Sequence, residues 1–166
     1  MGSIFIFPLA NISIVLALLT ILCEADLISN ICSKAQNPSL CNKTLKSDNR
    51  SRTANLRGLG QIIIEKAEAA TQDTINVAKS TGKGTGVAEC VGLCVDAINK
   101  LKQCSALLKD FGRGSVGDLQ SRGSGAMFHV GLCDDVFGEG EPVKLKKAVR
   151  RAQDFIDMLL AVASSL

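Results

Sequence analysis

The sequence predicts an all-α fold: an antiparallel four-helix bundle preceded by a short segment. Three observations predict it. Apolar residues beyond position 50 recur at intervals of three and four rather than two. The stretches TGKGTG at 81–86, FGRG at 111–114 and GEGEP at 138–142 cut that pattern into pieces of bundle-helix length. With no Trp and no Tyr in the chain, the core must be built from aliphatic side chains.

The N-terminus is read separately. Residues 1–23 carry no charged side chain, and 12–22 form an apolar run of signal-peptide length, too short to span a bilayer comfortably. Cys23 and Ala25 lie three and one positions before Asp26, the spacing of small residues that signal peptidase requires, so cleavage is expected after Ala25. A membrane anchor is the alternative, but nothing later in the chain is apolar enough to span, and no membrane contact is expected after cleavage. The chain then divides into a signal peptide (1–25) and one domain (26–166), made of a hairpin (26–47) and a bundle (51–166). Loss of Cys23 and Glu24 leaves six of the seven cysteines and raises the net charge from +3 to +4. An even cysteine count in an oxidising compartment reads as disulfides, and six cysteines allow 15 pairings.

The first bundle helix follows the polar run SDNRS, whose Ser and Asp side chains can cap free N–H groups. Its apolar stripe is Leu56, Leu59, Ile63, Ala67, Ala70, Thr74 and Val77. The second carries a heptad seam of Val87, Val91, Cys94, Ile98, Leu101, Ser105 and Leu108, in which Ser105 alone is out of character. The third, SVGDLQSRGSGAMFHVGLC, is interrupted by Gly123, Gly125 and Gly131. Each interior glycine costs about 1 kcal/mol relative to alanine, so a weak helix is expected. The last begins with Pro142 at a first-turn position. Lys144, Lys146, Lys147, Arg150 and Arg151 crowd its start, where the helix dipole disfavours cations. With Asp154 one turn from Arg150 they read as a solvated face, the alternative being an anion-binding patch.

Ahead of the bundle, ICSKAQNPSLC places eight residues, among them Asn37 and Pro38, between Cys32 and Cys41. A proline after asparagine favours a turn that brings the two thiols face to face. Closing so small a loop constrains the unfolded chain by roughly 2 to 3 kcal/mol.

ICSKAQNPSLC, SDNRSRTANLRGLGQIIIEKA, ECVGLCVDAINKL and SGAMFHVGLCDDVF together resemble the plant invertase and pectin methylesterase inhibitor family across the whole mature chain, and most of all its invertase inhibitors of the pollen-allergen type. The resemblance implies a four-helix bundle with an N-terminal helical hairpin, secreted to the cell wall (apoplast), with the vacuole as the alternative destination. It implies two bonds, Cys32 to Cys41 and Cys90 to Cys133. Cys94 stands where the family usually has a core aromatic, and Cys104 has no counterpart. Both read as unbonded, Cys94 as a small buried hydrophobe and Cys104 as a half-buried thiol. They cannot bond each other, because ten residues of helix hold them about 15 Å apart.

A sharper alternative joins Cys90, Cys94, His129 and Cys133, four apart in each pair, as a Cys3His zinc set. The oxidising compartment consumes such thiols, so no metal is expected, and His129 reads as a surface or groove residue of the third helix. No catalytic constellation stands out, and neither cofactor nor nucleic-acid partner is expected. The resemblance therefore implies a non-enzymatic inhibitor that occludes the cleft of a cell-wall carbohydrate enzyme.

Acid invertase is the expected partner, with pectin methylesterase as the alternative, and a bundle without retained inhibition, allergen-like or signalling, as the second. The family's invertase inhibitors carry Pro-Lys-Phe ahead of the third helix; here GRGSVGD occupies that region. Arg113, Ser115 and Asp118 are thus the candidate contacts, joined by Phe128, which replaces a threonine common in the esterase inhibitors. Asn42 and Asn49 head glycosylation sequons.

Overall fold

The computed structural model describes residues 27–137 and 140–166, and the signal-peptide reading lies outside them. The described residues form helices joined by short turns. The first described residues, 27–34 (α1), turn through 35–37 into α2 (Pro38–Ser47), and a 3-10 turn (Asn49–Thr53) leads to α3 (Leu56–Ser80), α4 (Thr85–Lys109), α5 (Ser115–Phe137) and α6 (Val143–Ala163). Each of the four long helices packs on its sequence neighbours, and α3 on α6 closes the square.

Local chemistry sets the boundaries. Asn37 Oδ1 accepts from Leu40 N–H at 3.1 Å and Pro38 takes the first helical position, so the turn between the cysteines doubles as the cap of α2. The SDNRS run caps the 3-10 turn rather than the bundle helix: Asp48 accepts from Arg50 N–H at 3.0 Å, while α3 is capped by Asn55, which accepts from Gly58 N–H at 3.0 Å. The Arg50 guanidinium bridges Asp48 (2.8 Å) and Glu65 (2.7 Å), tying the turn to α3. Hydrogen bonds from its side chain, then from its backbone, hold the Asp48 carboxyl down at about 2. Gly114, with φ +88°, makes the left-handed turn into α5 that an L side chain resists. Pro142 sits at the cap of α6, one position outside the helix.

The core differs from the expected seams in one respect. On α4 the fully buried series is Cys90, Cys94, Ala97, Leu101, Cys104 and Leu108, with Val91 and Ile98 only partly covered. The helix is rotated so that its cysteines and alanine point to the bundle axis. Cys104 is therefore wholly buried, not half-buried, and its thiol faces the Leu119 carbonyl at 3.9 Å. Ser105, turned toward α3, donates to Gln61 Oε1 at 2.7 Å, and Gln61 Nε2 donates back to the Ser105 carbonyl at 2.7 Å. The irregular member of the seam is thus half of a polar clamp between two helices.

The glycines of α5 do not break it. A methyl group on Gly123 would stand 2.9 Å from Leu160 Cδ2, one on Gly125 3.2 Å from Lys100 Cδ, and one on Gly131 3.0 Å from Gln153 Nε2. The missing side chains let α4 and α6 approach, which offsets part of the propensity cost. Gly60 on α3 is tighter, because an added Cβ would meet buried Leu108 at 2.7 Å and Val162 at 3.3 Å. Gly60→Ala is expected to destabilise by about 1 to 2 kcal/mol, overpacking outweighing the propensity gain. Gly92→Ala, where nothing lies within 4 Å, should stabilise by about 0.5 to 1 kcal/mol. Urea unfolding of the two variants checks this: shifts of the same sign would reject the packing account.

Candidate functional site: the face of α4 and α5

The Cys90–Cys133 disulfide, with Cα atoms 4.6 Å apart, sets the register of the α4–α5 pair. Cys32 and Cys41 are likewise bonded, at 5.4 Å. Five residues on from Cys90 stands Val95, and five residues back from Cys133 stands Phe128; the two are level on neighbouring antiparallel helices, but helical phase turns Phe128 to the outer face of the pair and Val95 away from it. They are two of the four large hydrophobic side chains exposed among the described residues, Phe128 at 63% and Val95 at 44%. Along the seam beside Phe128 Asp96 approaches His129 (Oδ2 to Nδ1, 3.8 Å), Lys100 lies over Gly125, and Arg122 donates to Gln103. An exposed aromatic thus sits on a rigid helix pair, with charged residues of both signs alongside. Such a surface can anchor a protein partner.

The other candidate contacts do not gather round Phe128. Arg113 is exposed in the turn between Gly112 and Gly114, and Asp118 is exposed in the first turn of α5. Thirteen residues of helix place Phe128 about 20 Å from the start of α5. Ser115 is buried, and its Oγ accepts from Gly112 N–H at 2.8 Å, so it closes the turn instead of offering itself to a partner. Val95 was not singled out by sequence reasoning, because an isolated valine one residue from a seam carries no signal until the register is known.

Of the cysteines outside the bonds, Cys94 and Cys104 are both free and buried. Burial pushes each thiol up to about 11, the charges of Arg122 and Lys100 pulling weakly the other way on Cys104. The sulfurs of Cys90, Cys94 and Cys133 lie within 4.8 Å of one another, but His129 does not join that group and faces Asp96 instead. Two of the three sulfurs are spent in a disulfide, so the Cys3His set is not assembled. At the sequons, Asn49 is exposed, whereas Asn42 donates to the Pro38 carbonyl at 2.9 Å with Thr44 buried beneath it. Lys146 at the basic start of α6 pairs with Glu141 at 3.8 Å, and the Arg151 guanidinium lies 5.8 Å from the Phe155 ring centre. Both contacts fit a solvated face.

Comparison with known proteins bears on the whole chain. A profile described as plant invertase/pectin methylesterase inhibitor matches residues 26–163. A pectinesterase inhibitor from Actinidia deliciosa is 35% identical over 153 residues, covering 86% of this chain and 80% of its own. Among solved structures, a mutant form of a pectin methylesterase inhibitor from Arabidopsis superposes with a TM-score of 0.71 at 22% identity, over 84% of this chain and 96% of that one. A pectin methylesterase inhibitor from Arabidopsis thaliana gives 0.60 at 20% identity, over 84% and 95%. At these identities the superpositions speak for the helical-bundle fold alone, while the profile and the Actinidia relative speak for descent. The chain belongs to the plant invertase/pectin methylesterase inhibitor family, whose members act on enzymes as inhibitors.

Proposed function

We propose that the protein is a secreted inhibitor of pectin methylesterase that works by occlusion, seating the α4–α5 face over the enzyme's cleft. The sequence alone favoured acid invertase; the Actinidia relative described above is a pectinesterase inhibitor, and it moves the preference to the alternative. The observation that carries the choice of face is Phe128, 63% exposed on a helix cross-linked to its neighbour, beside the Asp96–His129 and Gln103–Arg122 contacts of the seam. An exposed aromatic held on a pre-organised surface loses little freedom on binding, which is what a hot-spot residue requires. Occlusion needs no catalytic group. Export is supported by the N-terminal run and the disulfides, and no described helix is long and apolar enough to cross a membrane. Of the two sequon asparagines, Asn49 is the more exposed, at the hairpin exit, while the Ser51 and Thr44 hydroxyl residues of both sequons are buried.

The test titrates purified mature protein against pectin methylesterase and acid invertase at acidic pH, with Phe128→Ala and Arg113→Ala alongside. Phe128→Ala is expected to weaken esterase inhibition by about tenfold to thirtyfold, as for truncation of a central aromatic anchor. Its unfolding midpoint should stay within about 2 °C of wild type, because so little of the ring is buried. Arg113→Ala should leave esterase inhibition within about twofold, since a peripheral exposed charge contributes little. Inhibition of invertase alone, weakened by Arg113→Ala, would restore the turn as the contact and invertase as the target. Inhibition of neither enzyme would leave a bundle protein without retained inhibition.

A further inference from the structure

Three sulfurs meet where α4 crosses α5. Those of Cys90, Cys94 and Cys133 lie within 4.8 Å of one another, all three residues are fully buried, and only two of them are bonded. Cys94 keeps its thiol one helical turn from Cys90 on the same face of α4. A free thiol within 4.8 Å of both sulfurs of a disulfide is close enough for thiol–disulfide exchange after a small side-chain movement, and the reaction requires no outside oxidant or reductant.

We propose that Cys94 is a reserve partner for Cys133, making the three residues an intramolecular exchange site. Cys94 gives up its proton and its thiolate attacks the Cys133 sulfur. As the Cys94–Cys133 bond forms, the Cys90–Cys133 bond breaks, and its electron pair leaves on the Cys90 sulfur, which takes up a proton. One disulfide and one thiol are present before and after. Attack at Cys133 keeps α4 and α5 cross-linked with the staple moved one turn along α4, about 6 Å. Attack at Cys90 would join two residues of one helix and release α5, so Cys133 is the productive centre. Burial holds Cys94 as a thiol until the helices part, which makes exchange slow and keeps the native pairing in place. Cys104, ten residues beyond Cys94 on α4, is too far to take part and serves as an internal control.

The experiment uses full-length secreted protein, wild type, Cys90→Ser and the double variant Cys90→Ser/Cys94→Ser, with free thiols alkylated before non-reducing peptide mapping. In Cys90→Ser the expected product is a Cys94–Cys133 bond, with Cys104 left as the only alkylated residue of the three. Its unfolding midpoint should exceed that of the double variant by at least about 5 °C, because the staple is retained. Alkylation of both Cys94 and Cys133, with the two variants unfolding together, would overturn the proposal. Should Cys90→Ser fail to accumulate, wild type equilibrated in a glutathione buffer decides the matter. A peptide pair linking Cys94 to Cys133 is expected there alongside the native pair, and its absence after full equilibration would overturn the proposal equally.

Discussion

Replacement of both Cys90 and Cys133 by alanine is expected to lower stability by about 2 to 5 kcal/mol and the unfolding midpoint by on the order of 10 °C. The bond joins residues 43 apart and closes a loop containing most of α4 and α5, for which the chain-entropy model gives about 4 kcal/mol. Strand-like alternatives do not compete here; the question is whether α5 stays docked. With Gly117, Gly123, Gly125 and Gly131 along it, α5 has the weakest intrinsic case for helix of the four. Removing Cys32–Cys41 should cost less, about 2 to 3 kcal/mol, because its loop spans only nine residues. Thermal unfolding followed by far-ultraviolet circular dichroism measures both. An unchanged midpoint in the Cys90/Cys133 variant would mean that packing alone holds α5.

Raising the pH from about 4.5 to beyond 7 is expected to destabilise the protein, and Glu141→Gln is expected to remove most of that slope. The Glu141 side chain, just ahead of α6, is only 7% exposed, and its Oε1 and the Oδ1 of Asp134 are both buried with no hydrogen-bond partner. Burial first, and the neighbouring Asp134 carboxyl second, push Glu141 up to about 7, although Lys146 and Arg150 draw it partly back. Between the ordinary 4.5 and about 7 the folded chain therefore keeps a proton that the unfolded chain has released. Stability is full below that window and falls as pH rises through it. At pH 7.5 Glu141→Gln should be more stable than wild type by on the order of 1 to 3 kcal/mol. Urea unfolding at pH 4.5, 6 and 7.5 decides the point: parallel pH profiles for the two proteins would place the slope elsewhere.

Much of the architecture was legible because helix period, glycine punctuation and an aliphatic composition agree. What escaped the sequence was rotation and register. The choice between Val91 and Cys90 as the buried member of a turn depends on which flank α3 and α5 cover, and both spacings satisfy a three-four repeat. Ser105 looked like a flaw in the seam because its partner, Gln61, lies 44 residues away on another helix. The cap on α3 passed to Asn55 since Asp48 was already committed to the 3-10 turn and Arg50. Phe128 was visible as an oddity, but its place beside the Asp96–His129 contact followed only from the register of α4 and α5. Nothing in the spacing of Asp134 and Glu141 announced that a turn would fold one carboxyl against the other.

The way α1 and α2 meet the far end of the chain governs how the molecule can be completed as it is made. Lys34 Nζ reaches Ser165 Oγ at 2.8 Å, and the Gln36 backbone N–H donates to Asp157 Oδ2 at 2.7 Å, contacts spanning 131 and 121 residues. The hairpin's Ile28, Ile31, Ala35 and Leu45 are buried, and its polar contacts to Asp157 and Ser165 can form only after the last turns of α6 have emerged. Because loop closure over such spans comes late, the hairpin is made before the bundle and is the last to find its place on it. The early Cys32–Cys41 bond lets it wait as a preformed clasp rather than as loose chain.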